Sequence, residues 1–371
     1  YVVGGCVRDS LYGYVPHDWD ICTNATPGEM LSTFSDFRTI ETGIKHGTVT
    51  IVSDGKNYEV TTYRRDGDYL DHRHPDAVEF VSNLLDDLAR RDFTINAMAY
   101  NEEIGLVDPF RGAEDLENRI IRWVGNSNER FQEDALRILR AIRFAMVYGF
   151  KISGWTSAAI HRNVELLRDI SAERIQSELR KMFVYDCDIS VLKDFPDVFS
   201  TIIPEISSEE LFSHAISALS EYCGDDFSVF MALLLHEIGD QAADSVMRRL
   251  KFDNTTRHRA VCAIKYYKQI IVETRPEVKQ WMRKLGADDF LRVLRVKRCI
   301  NYESLAYVGN AIRCMTIMAH ILLDKDCYTL HSMNFTGCDV LTCGIPEGKT
   351  SGEILNKLLD MVIDGEVENE Y

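Results

Sequence analysis

Through about residue 112 the apolar positions come in short bursts rich in β-branched and aromatic side chains, closed off by Gly, Asp and Asn: YVVGG, WDICT, GTVTIVS, NYEVTTYR and AVEFVS. Bursts of this kind predict strands. LDDLARRDFTINAMAYN then returns to helical spacing. From about Ile120 the period changes for good. NERFQEDALRILRAIRFAMVYGF, SAERIQSELRKMFVY, ELFSHAISALSEY, FSVFMALLLHEIG, SVMRRLKF, RHRAVCAIKYYKQIIVE and GEILNKLLDMVIDG each place apolar residues three and four apart, the spacing of one helix face. The predicted fold class is α+β: an N-terminal head with a small mixed sheet, followed by a long all-helical body. No low-complexity linker and no internal repeat interrupts it.

Composition narrows the class. At 371 residues and 46% hydrophobic content the chain has room for two to four compact units with real cores. No run of about 18 apolar residues is evident, so no membrane span is expected. The chain opens at Tyr1 inside an apolar run with neither Met nor a signal-like flank, which reads as a truncated or processed N-terminus. Ten cysteines are scattered without a CxxC pair, the pattern of reduced core thiols in a cytoplasmic protein rather than of a zinc site or disulfide frame. The net charge of −16 excludes a protein that coats nucleic acid through a general positive field. Basic residues nevertheless gather in MRRLKFDNTTRHR, KQWMRK and LRVLRVKR, as suits contact with RNA along one surface.

The candidate chemistry begins in VVGGCVRDSLYGYVPHDWDICT. On a strand, residues two apart face the same way, so Asp18 and Asp20 should share a face while Trp19 turns to the other. Two adjacent carboxylates repel, and divalent cations remove the repulsion; Mg²⁺ is commonly held by one or two carboxylates together with substrate phosphates. Gly4 and Gly5 let backbone N–H groups approach a polyphosphate, and Arg8 could add a cationic fork. Taken singly, Gly-Gly is usually a turn and Asp-x-Asp a solvated edge or calcium-type loop.

In this order and spacing the two motifs resemble the nucleotidyltransferase superfamily. More narrowly, the chain resembles the class II tRNA nucleotidyltransferases, the CCA-adding enzymes, with the related bacterial poly(A) polymerases. GGCVRD with DWD matches the first family motif, RRDFTINAMAY the second, DPFRGAEDLENRIIRWVG the connecting segment, RFQEDALRILRAIRF the nucleotide-reading helix and SAERIQSELRKMF the neck helix; the closing GIPEGKTSGEILNKLLDMVIDGEVEN resembles the family tail. The resemblance implies a catalytic head over residues 1–120, a nucleotide-recognising neck over 121–184, a helical body over 185–275 and a tRNA-binding tail over 276–371. It implies nucleotidyl transfer from CTP and ATP to the 3′ acceptor end of tRNA, assisted by Mg²⁺ held by Asp18 and Asp20. Arg91 and Asp92 would help hold ribose and phosphates. Arg140 and Arg143 are candidates for the triphosphate or the base stack, or helix-stabilising arginines. The oligomeric state is left open.

Asp134 and Arg137 are three apart, which on a helix puts them on one face. They are either a surface ion pair or a protein-made base-pairing edge. A carboxylate only accepts and a guanidinium only donates, so together they match a base with an amine beside a ring-nitrogen acceptor. Cytosine and adenine have that edge; uracil and guanine reverse it, at roughly 1–3 kcal/mol per mispaired buried group. The loop RRDGDYLDHRHPDAVEFV has the length that full CCA or A addition implies. Glu59 is a nearby acid left outside the metal set. LLLHEIGD resembles a phosphohydrolase histidine-aspartate stretch in which Glu237 replaces Asp, so His214 and His236 are expected to be structural. The competing readings are addition of A alone, a poly(A) polymerase, and an inactive RNA-binding protein.

Overall fold

The computed structural model describes residues 1–16, 18–66, 78–300 and 304–370, and the chain divides into two compact units, Tyr1–Pro204 and Glu205–Tyr371. In the first, the described strands β1 (Val2–Val3), β2 (Asp20–Thr23), β3 (Arg38–Ile40), β4 (Thr48–Ser53), β5 (Lys56–Thr62), β6 (Ala99–Asn101) and β7 (Gly105–Val107) form one mixed sheet. Their order is β3-β4-β5-β2-β1-β6-β7. The β2–β5 pair is parallel, with Asp20 opposite Glu59, and the other pairs are antiparallel. Asp54 and Gly55 close the β4–β5 hairpin at φ 49° and 73°, the left-handed pair that a two-residue turn matching the strand twist demands. Ile21 and Cys22, adjacent in β2, feed different clusters, one with Met30, Val49, Ile51 and Val60, the other with Val3, Tyr63, Leu88 and Ala99. The period of two therefore fixes which face Asp20 shares with Cys22.

The predicted strands are present, and AVEFVS supplies a short strand, Val78–Phe80, paired with Arg64–Asp66. The helical reading of Leu85–Asn101 is overturned. That stretch is a short helix α2 (Leu84–Ala89), a turn, a 3₁₀ segment Thr94–Asn96 and strand β6. The helix stops because Asp92 turns its side chain onto the Phe93 N–H (2.9 Å), a local bond that competes with helix continuation, while Phe93, Ile95 and Met98 sink into the core.

The site also draws on α1 (Gly5–Tyr12), α3 (Ser127–Glu133), α4 (Leu136–Tyr148) and α5 (Ala172–Met182). In the second unit α6 (Phe227–Leu235), apolar all round, is buried from Ser228 onward, as a helix without a polar face must be. It is followed by α7 (Gly239–Arg249), α8 (Asn254–Tyr266), α9 (Arg275–Leu285), α10 (Ala287–Ile300) and α11 (Leu305–Leu323). Contrary to the sequence expectation, α11 is long and apolar enough to cross a membrane by length and composition. One side of it is committed to the core, where Cys314, Met318 and Ile321 pack with Val278, Met282, Phe290 and Leu294.

His236 is buried and bonds the Leu233 carbonyl through Nδ1 at 2.7 Å; Glu237 Oε1 sits 3.2 Å from His214 Nδ1 and 3.3 Å from His236 Nε2. Burial holds His236 below the usual histidine range. All ten cysteines are free thiols, six of them buried.

Candidate active site

Strand β1 runs into Gly4, whose φ of +78° belongs to glycine, and whose N–H donates to the Met98 carbonyl at 3.1 Å. A Cβ on Gly4 would stand 2.8 Å from Arg91 Nη1 and 3.9 Å from Asp20 Oδ2. The glycine turn, the arginine of RRDF and the second acid of DWD thus meet at one point. Asp20 opens β2; Asp18 lies in the bend before it rather than in the strand, and both are exposed. The strand alternation from which a shared face was predicted therefore does not reach Asp18, which stands in a bend. Although Asp20 is open to solvent, the protein around it raises its pKa; Arg91 opposes this and the Asp18 carboxylate adds to it. Glu59 is exposed and level with Asp20 on the parallel neighbour.

Arg91 is only partly neutralised. Its Nη2 donates to Asp87 Oδ2 at 3.3 Å, an acid with no exposed surface that also takes Arg90 Nε at 2.9 Å. Its Nε is buried and, among the described residues, has no acceptor. An orphaned donor beside a side-chain-free turn and two acids suits a bound polyphosphate with divalent cations, since a buried N–H without a partner costs roughly 1–3 kcal/mol until one arrives. Among the described residues no group of three or more His, Cys, Asp or Glu converges as a ligand set, so Asp18 and Asp20 would share the cation with phosphate oxygens.

Four of the predicted ligands, Arg8, Asp92, Arg140 and Arg143, are engaged within the protein. Arg8 is 6% exposed; it donates to Asn96 Oδ1 at 2.5 Å, pairs with Asp9 at 2.7 Å and lies over the rings of Phe144 and Tyr148. A Cβ added at Gly5 would meet Arg8 Nη2 at 3.5 Å. Asp92 accepts from Phe93 N–H, from Asn96 Nδ2 at 3.0 Å and from Arg140 Nε and Nη2 at 3.1 and 2.5 Å. Burial pushes the Asp92 carboxyl up, but the Arg140 charge and these donors outweigh it and hold the pKa at about 2. Arg143 meets the nearly buried Glu178 at 2.9 Å. These groups tie the sheet-bearing head to α4 and α4 to α5; the sequence reading had made them candidates for nucleotide contact, with Arg140 and Arg143 alternatively helix-stabilising.

Asp134 and Arg137 do not share a continuous helix. Asp134 ends α3 at φ −149°, ψ 101°, and α4 starts at Leu136. The break follows from Asp134 Oδ1 accepting the Leu136 N–H at 3.1 Å, a cap made by its own side chain. Its other oxygen takes Arg174 Nη2 at 2.7 Å, delivered by α5. Arg137, 9% exposed, donates to Glu133 Oε2 at 2.6 Å and to the Arg130 carbonyl at 3.0 Å, with its guanidinium over Trp123. Glu133, Arg174, Glu178, Asn96 and Asp87 are the site residues that the sequence reading missed. Glu133, four before Arg137, and Asp87, three before Arg90 and four before Arg91, carried a spacing signal. The first-to-second-motif loop lies, over residues 67–77, outside the described residues.

The described geometry agrees with the matches to known proteins. Residues 1–122 match the family model of the Poly A polymerase head domain, 149–190 that of the probable RNA and SrmB-binding site of polymerase A, and 226–371 that of tRNA nucleotidyltransferase domain 2 (putative). A CCA-adding enzyme of Pediococcus pentosaceus is 36% identical over the whole of this chain and 91% of its own length. The chain belongs to the CCA-adding enzyme family. A second member, from Geobacillus thermodenitrificans, is 35% identical over 100% of the chain and 90% of its own length. The crystal structure of the Bacillus stearothermophilus CCA-adding enzyme in complex with CTP superposes with a TM-score of 0.78 at 32% identity, covering 100% of this chain and 90% of that one. The Thermotoga maritima enzyme complexed with tRNA, 23% identical, shares the fold at a TM-score of 0.64 over 100% of this chain and 88% of that one. The enzyme is accordingly a nucleotidyltransferase, of a family that normally uses divalent metal ions.

Proposed function

We infer that this enzyme adds C, C and A in turn to the tRNA 3′ end from CTP and ATP, releasing pyrophosphate, with Asp18 and Asp20 holding Mg²⁺. The observation that carries the reading is the meeting of Gly4, Asp20 and the Arg91 guanidinium, whose Nε has no acceptor among the described residues. When bound, the cations supply charge neutralisation at the α-phosphate and lower the pKa of the RNA hydroxyl. The chain's own residues do the rest. Gly4 and Gly5 admit the phosphates, Arg91 donates to them, and Asp18 with Asp20 fixes the side from which the hydroxyl approaches. Catalysis is then mostly positioning and electrostatics, with no covalent protein intermediate.

Base choice falls to Asp134 and Arg137. A carboxylate offers about four acceptor sites, so Asp134 can keep Leu136 N–H and Arg174 and still accept a base amine. Arg137 exchanges part of its hold on Glu133 for the ring nitrogen of C or A. Arg174 and Glu133 act as positioning residues. Arg8, Asp92, Arg140 and Arg143 support the head, α4 and α5 in the relation that this requires. The assignment of residues 1–120 to chemistry, 121–184 to base choice and 185–275 with 276–371 to tRNA belongs to the same reading.

The test supplies Mg²⁺ and each nucleotide, singly and together, to three tRNA transcripts lacking CCA, CA or A. Extension of all three to the same full-length end, by C then C then A and with no use of UTP or GTP, is expected. Asp20→Ala should reduce incorporation at least a thousandfold. Extension by A alone or an indefinite A tail would replace the reading by that of an A-adding enzyme or a poly(A) polymerase, and an active Asp20→Ala would remove the catalytic assignment.

A further inference from the structure

Asp87, in the last turn of α2, is a carboxylate with no exposed surface, and no step of the proposed reaction uses it. A buried anion is retained only where cations and donors surround it. Around Asp87 they come from two neighbouring segments. Oδ1 takes Arg90 Nε at 2.9 Å, with Arg90 Nη2 at 2.8 Å, and faces the backbone N–H of Arg64, in the strand Arg64–Asp66, at 3.4 Å. Oδ2 takes Arg91 Nη2 at 3.3 Å. Spacings of three and four from the end of the helix turn both arginines back onto the one acid.

Arg91 therefore stands between two acids in unlike surroundings. Its Nη2 is on Asp87, while a Cβ at Gly4 would lie 2.8 Å from its Nη1 and 3.9 Å from Asp20 Oδ2, so the far end of the guanidinium is a short swing from the catalytic carboxylate. The Arg91 charge is already felt there: it opposes the rise that the surrounding protein imposes on the Asp20 pKa. Asp20 is exposed, so water weakens any ion pair it makes, whereas Asp87 left uncompensated in the interior would be far costlier. The guanidinium accordingly sides with Asp87.

We propose that Asp87 is a positioning residue that holds Arg91 off Asp20, so that the Asp20 carboxylate stays open to a divalent cation and the guanidinium, whose Nε has no acceptor among the described residues, stays open to phosphate. Opposite charges this close attract, and a site that needs both must keep them apart. With the Asp87 charge removed, Asp20 is an acid within reach of Arg91. An ion pair between them would occupy the carboxylate oxygens and cancel the charge that a cation needs. Arg91 would then turn from a donor to phosphate into a competitor of the metal. The inference rests on the proposed function, in which Asp18 and Asp20 hold the cation, and deepens it by naming what keeps the two halves of the site from neutralising each other.

The test is binding of Mn²⁺ to the nucleotide-free full chain, read from the electron paramagnetic resonance signal of the unbound ion, with the ions that an Asp20→Ala chain still binds subtracted. Asp87→Asn should weaken this binding about tenfold in the otherwise unaltered enzyme and by less than about twofold when Arg91→Gln is also present, because the competitor is then gone. Equal weakening in both backgrounds would make Asp87 a merely structural acid and overturn the proposal, as would no weakening in either. Arg91→Gln alone should change Mn²⁺ binding by less than about threefold, since Asp87 already holds that charge aside; a larger tightening would show Arg91 seated on Asp20 and reject the proposal even where Asp87→Asn fails to fold. The crystal structure of metal-free Asp87→Asn should show Arg91 within about 4 Å of Asp20, and a guanidinium left in place would overturn the proposal. If the unaltered enzyme binds no Mn²⁺ at Asp20, the cation assignment of the proposed function fails, and that crystal structure still decides whether Asp87 holds Arg91.

Discussion

Gly4 has almost no chemical freedom. Its φ of +78° disfavours any L side chain, and a Cβ would press on the Arg91 guanidinium at 2.8 Å. Gly4→Ala should therefore lower kcat/KM at least tenfold, because Arg91 is pushed from its place, and lower the melting temperature by a few degrees, because the turn is strained; steady-state kinetics beside thermal denaturation checks both. Arg174 acts differently, since it touches Asp134 and not the triphosphate cradle. Arg174→Gln should leave extension with CTP measurable and cut discrimination of CTP against UTP about tenfold, near 1.4 kcal/mol, read as the ratio of kcat/KM values. At this scale the sequence was informative where residues sit in its short motifs, as with Gly4 and Asp20 in the first and Arg91 in the second. It was silent on Arg174 and Glu178, because an ion pair between separate helices leaves no spacing in either.

Elements explain the larger misreadings. The segment Ser127–Tyr148 has continuous helical periodicity, yet Asp134 caps α4 with its own carboxylate and splits the run in two. Periodicity reports which face is buried and survives a two-residue interruption, so it could not announce the break. Leu85–Asn101 misled in the opposite way: apolar residues three and four apart there serve a buried turn and a strand. The Asp92–Arg140 pair that links this turn to α4 has a measurable signature. With its folded pKa at about 2, below the ordinary 3.8, Asp92 stabilises the fold above about pH 4 and loses that contribution as pH falls towards 2. Asp92→Asn should be less stable by about 2 kcal/mol at pH 7, with the difference shrinking through that acid window in urea melts.

For the whole molecule, the α+β class and the switch from sheet to helix near Ile120 were legible because the period of two gives way to 3.6 and does not return. Short strands such as Arg38–Ile40 and Gly105–Val107 were not, since three residues carry no period. Net charge was a poor guide to partners. It averages over a surface on which cations are grouped, and only the folded arrangement shows that Arg248, Arg257, Lys265 and Lys284 line one groove.

The Nε of Arg91, without an acceptor among the described residues, gives the ligand-free enzyme a particular kind of incompleteness. Folding encloses that N–H whether or not anything is there to receive it, so the resting chain carries a standing penalty that an oxyanion can lift. Pyrophosphate alone should then raise the melting temperature of the enzyme, and Arg91→Lys, equal in charge but lacking a donor at that point, should lose most of the rise in differential scanning fluorimetry. The enzyme would in that sense feel its leaving group as a missing piece of its own interior.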